Sequence, residues 1–244
     1  MNRILSTEST PAAAGANDRS ARAAPTGPLA SVVRPSWNWI PIRSLGPRHR
    51  GRIAAHLSEL DPEDRYFRFG YAITDSQISK YVDILDFEHD EVFGIFNRRL
   101  VLIAMAHLAH SIVAPRGTGK AMSEFGVSVS RQARGRGFGR RLFERAMLHA
   151  RNRSVGTLLI HALSENVAML KIARRAGATV VREGAETDAW LELPPDSFAS
   201  HVDELIERRA AEIDYRLKLR ARRTDAMSDA NDPSLESVAR GADD

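Results

Sequence analysis

The sequence predicts one mixed domain of the α/β or α+β class, and three observations support this prediction. Strand-like and helix-like patterns alternate along most of the 244 residues, as expected when helices and strands share one core. Hydrophobic residues make up 43% of the chain, which is enough to fill such a core. A glycine-rich turn at residues 132–139 joins a strand directly to a helix.

The period of the apolar residues predicts the individual elements. A β-hairpin is expected around Asn97 and Arg98, because residues 92–96 and 100–108 are two apolar, β-rich runs. The other predicted strands are residues 39–42, 124–130, 157–162, 178–181 and 189–193. The predicted helices are residues 48–60, 75–85, 138–151 and 166–175, and Gly177 is the expected C-terminal cap of the last one.

The two ends of the chain differ in composition from the centre. Residues 1–36 show no helical or strand period, which predicts a disordered leader before a domain of residues 37–193. Residues 194–223 are expected to contain a C-terminal amphipathic helix, and residues 224–244 to form a disordered tail. The apolar stripe of that helix comprises Val202, Leu205, Ile206, Ala210, Ile213 and Leu217. The stripe lacks a sustained heptad. The helix is expected to pack on its own domain, and the alternatives are a dimer helix or a contact with another partner.

The charge of the chain points to an anionic ligand. The net charge is +4, and only four of the 35 basic residues are lysines. Arginine has a planar fork that suits phosphate oxygens, and eight arginines lie within residues 131–153 beside a single acid, Glu144. The absence of cysteine excludes disulfides, thiolate metal sites and cysteine nucleophiles. The histidines show no metal-ligand spacing, so no metal is expected. No apolar run is long enough to span a membrane, and a cytoplasmic location is expected.

The glycine-rich turn is the most informative motif. Gln132-x-x-Gly135-x-Gly137 follows a predicted strand and opens a helix, so that backbone N–H groups and the positive end of the helix can converge on a phosphate. The alternation of Gly135, Gly137 and Gly139 does not fit the dinucleotide fingerprint. Residues 114–121 resemble the end of a P-loop but lack its first glycine and its Ser/Thr. An ordinary tight strand-to-helix turn remains an alternative.

These residues resemble the coenzyme A signature of the GNAT superfamily of N-acetyltransferases. Residues 39–43, followed by a helical segment that ends with residues 61–69, are similar to the first strand and helix of bacterial protein-lysine acetyltransferase domains. Residues 166–177 resemble the helix that follows the second central strand in this superfamily. The resemblance spans about residues 37–193 and implies a largely antiparallel central sheet with splayed middle strands and flanking helices.

The resemblance also implies acetyl-CoA as the co-substrate, bound between the splayed strands. Backbone groups of two valines would bind the pantetheine amides, the turn would hold the pyrophosphate, and an asparagine would contact the same cofactor. The expected cofactor-binding residues are Val127, Val129, Arg134, Gly135, Arg136, Gly137, Phe138, Gly139, Arg140 and Asn166.

The implied reaction is direct transfer of an acetyl group to a primary amine in a ternary complex. Holding a lysine-like amine neutral at pH 7 costs about 4 to 5 kcal/mol, so a general base is needed. Glu124 resembles the residue that serves as this base in the bacterial protein-lysine enzymes, although a solvated carboxylate at a strand end is the alternative. Ala173 stands where many members carry a tyrosine that protonates the leaving thiolate, which departs from the superfamily pattern.

The acceptor is the least constrained part of the prediction. The acidic residues Asp83, Asp86, Glu88, Asp90 and Glu91 are expected either to attract a cationic amine, such as a protein lysine, or to form a solvated helix end. Two alternatives stay open: a catalytically weak acyl-CoA-binding regulatory module, and a small polyamine or aminoglycoside-type acetyltransferase. A nucleic-acid partner is not favoured, because the basic end of the last helix lacks interleaved aromatic residues.

Overall fold

A computed structural model of the chain describes residues 39–111 and 121–230. Its core is a seven-stranded sheet with the strand order β1-β2-β3-β4-β5-β7-β6. The strands are β1 (Arg43–Leu45), β2 (Glu91–Phe96), β3 (Leu102–Ser111), β4 (Ala121–Val129), β5 (Val155–Leu163), β6 (Thr179–Glu183) and β7 (Glu186–Glu192). The helices are α1 (Arg50–Ser58), α2 (Pro62–Phe69), α3 (Asp75–Asp83), α4 (Phe138–Asn152), α5 (Val167–Arg175) and α6 (Phe198–Ala230). This architecture confirms the predicted fold class.

The sheet is antiparallel except at its centre. Five of its pairings are antiparallel, and only β4 and β5 run parallel. The parallel pair is possible because α4 crosses from the end of β4 to the start of β5. The sheet therefore consists of two antiparallel halves that meet at one parallel pair.

Apolar residues cover both faces of the sheet. One cluster contains Ile53 and Leu57 of α1 with Ile78 and Val82 of α3, packed on Met105 of β3. The opposite cluster places Leu142 and Phe143 of α4 and Leu170 of α5 against Phe125 and Leu158. Within the second cluster the rings of Phe125 and Phe143 meet edge to face with centroids 5.0 Å apart. The sheet is thus held between α1 and α3 on one side and α4 and α5 on the other.

The N-terminal elements differ in detail from the prediction. The first strand is Arg43–Leu45, shifted from the expected residues 39–42, because its register is set by pairing with β2, where Arg43 lies opposite Gly94. The expected continuous helix is divided into α1 and α2. Asp61 begins α2 by accepting a hydrogen bond from the N–H of Asp64, and Pro62 occupies the first helical position.

The C-terminal helix is longer than predicted. It ends at Ala230, so residues 224–230, which were expected to belong to a disordered tail, are helical. Their alanines and methionine are good helix formers, and no glycine or proline interrupts them. The predicted leader of residues 1–36 and the remaining tail, residues 231–244, lie outside the described residues. Among the described helices, none combines the length and apolar composition needed to cross a bilayer.

Candidate functional site

The two central strands separate halfway along their length. The parallel ladder joins Ala121–Glu124 of β4 to Val155–Leu159 of β5, and Glu124 opposite Leu159 is its last pair. Beyond this pair β4 stays bonded to β3 as far as Val129, and β5 stays bonded to β7 as far as Leu163. Each strand therefore keeps a neighbour on its outer side only, and its inner edge is available to a ligand.

A groove of about 590 Å³ lies along the separated part of β4. Its walls come from α2, the end of β4, the glycine-rich turn and α5. Nine of the eleven site residues predicted from the sequence line it: Val127, Val129, Arg134, Gly135, Gly137, Phe138, Gly139, Arg140 and Asn166. The structure thus brings residues 39 positions apart in sequence to one surface.

The glycines of the turn are required by its backbone conformation. Gly135 and Gly137 have φ angles of 73° and 79°, in the left-handed region that disfavours any side chain. Gly137 is the N-cap of α4, and no side chain caps this helix start. The first N–H groups of α4 therefore have no intrahelical partner and form the positive end of the helix dipole. This geometry fits a pyrophosphate, the group that coenzyme A would bring.

Basic side chains dominate the charged lining of the groove. Five basic residues line it, Arg68, Arg134, Arg140, Lys171 and Arg175, against the acids Asp64 and Glu165. Arg134 forms an ion pair with the buried Asp64 of α2, which ties the turn to that helix. The Asp64 carboxylate raises the pKa of Arg134. The surplus of positive charge matches the phosphates of coenzyme A.

Two predicted site residues lie outside this lining. Arg136 belongs to the turn, but its guanidinium stacks over the ring of Phe138 at 5.0 Å. Glu124 is exposed on β4, on the same strand face as Gly126 and Ser128. Burial lowers the pKa of His107 on the neighbouring strand, and the negative charge of Glu124 opposes this shift only weakly.

Arg68 is a groove residue that the sequence did not reveal. A Cβ at Gly126 would lie 2.7 Å from Arg68 Nη1, so glycine in this strand lets the guanidinium rest on the backbone of β4. Its Nε is buried and has no hydrogen-bond partner within the described residues. A glycine inside a strand indicates that another group packs closely against the strand backbone. The sequence alone does not identify that group as Arg68.

A hydrogen-bonded chain holds Arg68 in this position. Arg68 Nη2 donates to the Tyr81 hydroxyl at 2.8 Å, and the Tyr81 hydroxyl donates to His107 Nδ1 at 2.9 Å. His107 Nε2 in turn donates to Asp90 Oδ2 at 2.9 Å. Burial lowers the pKa of His107, which keeps the ring neutral and fixes these donor directions.

His56 supports the same strand from α1. It is buried, and its Nδ1 donates to the carbonyl oxygen of Leu102 at 3.1 Å. Its Nε2 therefore accepts from the hydroxyl of Ser128, 2.9 Å away, beside the groove. Burial lowers the pKa of His56 to about 4.

The acidic residues expected to form one acceptor patch have separate partners. Asp90 is bonded to His107 and to the N–H of His110. Asp86 pairs with His89, and this hydrogen bond lowers the pKa of Asp86. Glu91 lies 3.8 Å from His149. Asp83 and Glu88 are exposed. The predicted cluster is therefore not a continuous, unpaired surface.

Ala173, the position where many members have tyrosine, is fully buried in the core. It faces the main apolar cluster and does not line the groove. Among the described residues that line the groove, none is a tyrosine. In the same described part of the chain, no group of three or more His, Asp or Glu residues is arranged to hold a metal ion.

Comparison with known proteins agrees with this geometry. The model of the Acetyltransferase (GNAT) family matches residues 58–178. A search of curated proteins gave no significant match.

Several solved structures share the fold. The GNAT domain of S. lividans PAT has a TM-score of 0.52 at 21% identity, covering 62% of this chain and 89% of that domain. Ribosomal-protein-alanine N-acetyltransferase from Brucella melitensis has a TM-score of 0.50 at 17% identity, covering 62% of this chain and 99% of its own. N-acetyltransferase from Staphylococcus aureus has a TM-score of 0.50 at 16% identity, with coverages of 63% and 98%. These likenesses show the shared fold, and the match of the family model to residues 58–178 shows that the chain belongs to the GNAT superfamily of acetyltransferases.

Proposed function

We propose that this protein transfers the acetyl group of acetyl-CoA to the ε-amino group of a lysine in a protein. Membership of the family establishes an acetyl-CoA-dependent N-acetyltransferase; the acceptor and the roles of single residues are our proposal. The observation that carries it is the separation of β4 and β5 after Glu124, because it creates a binding groove that begins beside an exposed carboxylate.

The groove residues are proposed to hold acetyl-CoA in one orientation. Backbone groups of Val127 and Val129 on the free edge of β4 would bond to the pantetheine amides. The turn from Arg134 to Arg140 would bind the pyrophosphate through its N–H groups. Asn166 caps α5 by accepting a hydrogen bond from the N–H of Met169 at 3.1 Å, which leaves its amide NH₂ free to donate to the cofactor. The co-substrate supplies an activated acetyl group at the end of the groove.

Glu124 is proposed to be the general base. A lysine amine loses a proton as its nitrogen bonds to the thioester carbon and the carbon–sulfur bond breaks. Glu124, directly or through one water, would accept that proton at the point where the two strands separate. A backbone N–H near Val127 would stabilise the negative charge on the thioester oxygen.

Arg68 is proposed to stabilise the leaving thiolate. The tyrosine that protonates this group in many members is replaced by the buried Ala173. Arg68 lines the groove, rests on the backbone at Gly126 and has a free Nε donor. A fixed guanidinium lowers the energy of an adjacent anion without giving up a proton, so the thiolate can leave unprotonated.

A second candidate function is an acyl-CoA-binding regulatory module with little turnover. The observation that favours it is the absence of a tyrosine from the described groove lining. Such a module would bind acetyl-CoA with ordinary affinity but would release its thiol at the background rate.

Incubation with acetyl-CoA and a cell lysate, followed by mass spectrometry of proteins and small amines, tests the acceptor. Acetyl-lysine in specific proteins is the expected product. Acetylated polyamines or aminoglycosides without acetyl-lysine would contradict the protein acceptor and support the small-amine alternative. Binding of acetyl-CoA with no product in either fraction would support the regulatory module.

A further inference from the structure

The basic residues that line the groove differ in whether the protein itself neutralises them. Three of them, Arg68, Arg134 and Arg140, bond to side chains of the domain. Lys171 and Arg175 of α5 form no side-chain hydrogen bond or ion pair with any residue that the structure describes. Both are exposed, so their charges are available to a ligand in the groove.

Lys171 and Arg175 lie side by side on the face of α5 that forms one wall of the groove. They are four residues apart, which makes their side chains neighbours on the helix surface. Ala168 and Ile172 have the same helical spacing and line the groove with them. Like charges at this spacing repel each other and disfavour the helix. An anion bound between the two side chains would remove that repulsion.

This part of α5 lies beside the glycine-rich turn. A Cβ at Gly139 would lie 3.4 Å from Ile172 Cδ1, so α5 passes the first turn of α4 at Ile172. Lys171 directly precedes Ile172, and Arg175 follows it within one helical turn. The acidic lining residue of this wall, Glu165, comes before the first residue of α5. The two cations therefore lie close to the turn, and the acid lies at the other end of the helix.

The proposed orientation of acetyl-CoA leaves one of its phosphates without a partner. Coenzyme A carries a pyrophosphate and a separate phosphate on the 3′ oxygen of its ribose. With the pantetheine on β4 and the pyrophosphate on the turn, the ribose lies beyond the turn, where α5 is the remaining wall. A phosphate monoester carries a charge of about −1.5 to −2 at pH 7, which two adjacent cations can match.

We propose that Lys171 and Arg175 form a subsite for the 3′-phosphate of coenzyme A. The inference rests on the proposed function, because it takes the orientation of acetyl-CoA from there. The arginine fork bonds to two phosphate oxygens, and the lysine ammonium adds a second positive charge. The subsite makes the protein selective for acyl donors that carry this phosphate over donors that lack it.

Isothermal titration calorimetry of the full chain with coenzyme A and with dephospho-coenzyme A tests the subsite. The two ligands differ only in the 3′-phosphate. At low ionic strength the wild type should bind coenzyme A about tenfold more tightly. The double substitution Lys171→Gln and Arg175→Gln should raise the Kd for coenzyme A about tenfold. It should leave the Kd for dephospho-coenzyme A within about twofold, so that the preference is lost.

Arg174→Gln is the matched control for Arg175→Gln. Arg174 is exposed in the same last turn of α5 but does not line the groove. Each substitution removes one positive charge from the end of the helix, so both have the same effect on the helix dipole. Arg175→Gln alone should lose part of the preference for coenzyme A, and Arg174→Gln should keep the wild-type preference.

Three results would overturn the subsite while the groove still binds the cofactor. The first is equal affinity of the wild type for the two ligands. The second is a double variant that keeps the wild-type preference, which would place the 3′-phosphate on other residues. The third is a double variant that loses the same affinity for both ligands, which would assign the two cations to the pyrophosphate. Binding of neither ligand by the wild type would instead contradict the proposed function together with the subsite.

Discussion

Glu124 and Leu159 form the last backbone pair that joins β4 to β5. On one side of this pair the sheet is continuous, and on the other side the strands leave a gap that the groove occupies. The continuous part of the sheet therefore ends at this pair, and the groove lies beyond it. Glu124 carries an exposed carboxylate at this junction.

The charge of Arg140 should contribute directly to acetyl-CoA affinity. Arg140 lines the groove at the start of α4. Arg136, four residues earlier, is not part of the lining, and its guanidinium stacks over the Phe138 ring. Arg140→Gln should raise the Kd for acetyl-CoA about 3- to 10-fold at low salt, because a charge-assisted phosphate contact is lost. Isothermal titration calorimetry measures the change. Arg136→Gln is the control, and an equal loss in both variants would contradict the assignment.

Gly137 should be intolerant of alanine because of its backbone conformation. At a φ of 79°, a Cβ costs about 1 to 2 kcal/mol, and relief of that strain would move the N–H groups of the turn. Gly137→Ala should therefore lower both the free energy of unfolding in urea and the affinity for acetyl-CoA. Gly51 lies at an exposed position of α1, and a Cβ there would meet no atom within 4 Å. Gly51→Ala should therefore be neutral or stabilising. A Gly137→Ala variant as stable as Gly51→Ala would refute this expectation.

His56 should make the fold sensitive to acid. Its pKa is about 4 in the folded protein and about 6.5 when unfolded, so the folded state favours the neutral ring. The stabilisation is complete above pH 6.5 and is lost as the pH falls from 6.5 to 4. At pH 5 the loss from His56 is about 2 kcal/mol.

Unfolding in urea at pH 7.5 and pH 5 checks this dependence. His56→Gln should be less stable at pH 7.5 but should lose about 2 kcal/mol less than the wild type on acidification. Ile84→Gln, at a position that is 78% exposed, removes no titratable group and should keep the wild-type pH dependence. If His56→Gln lost stability as steeply as the wild type, His56 would not be the source of the acid sensitivity.

Arg68 should affect turnover more than acetyl-CoA affinity. Arg68→Met removes the cation proposed to stabilise the thiolate, so kcat should fall about tenfold or more. Arg68→Lys keeps the charge and should retain more activity than Arg68→Met. Tyr81→Phe removes only the hydroxyl that accepts a hydrogen bond from Arg68 Nη2. Its effect on kcat should be smaller than that of Arg68→Met. Steady-state kinetics at saturating acetyl-CoA separates these cases, and unchanged kcat in Arg68→Met would contradict the role.

Much of the fold could be predicted from local sequence signals. Apolar periods located the hairpin of β2 and β3, and the glycine turn located the start of α4, because both depend on residues close together in the chain. The same turn supplies six of the predicted residues that line the groove: Arg134, Gly135, Gly137, Phe138, Gly139 and Arg140. Such a motif can be recognised in the sequence because the turn needs positive φ angles at neighbouring positions, and glycine adopts these most readily.

Features that depend on distant residues could not be predicted. Arg68 enters the groove because α2 packs against β4, and its contact with Gly126 joins residues 58 positions apart. The apolar stripe of α6 was expected either to face its own domain or to meet a second helix. The first of these expectations is wrong: the charged side of α6 faces the domain, since Arg43, Arg145 and His149 supply partners for that side.

The central claim is that Glu124 acts in the chemical step while the groove residues bind acetyl-CoA. The most direct test is to measure, for Glu124→Gln, kcat with an acetylatable lysine substrate and the Kd for acetyl-CoA. Glu192→Gln, an exposed glutamate on β7, serves as the matched control. The account predicts that Glu124→Gln loses about 100-fold or more in kcat while its Kd for acetyl-CoA stays within about twofold of the wild type. Wild-type turnover in Glu124→Gln would contradict the account.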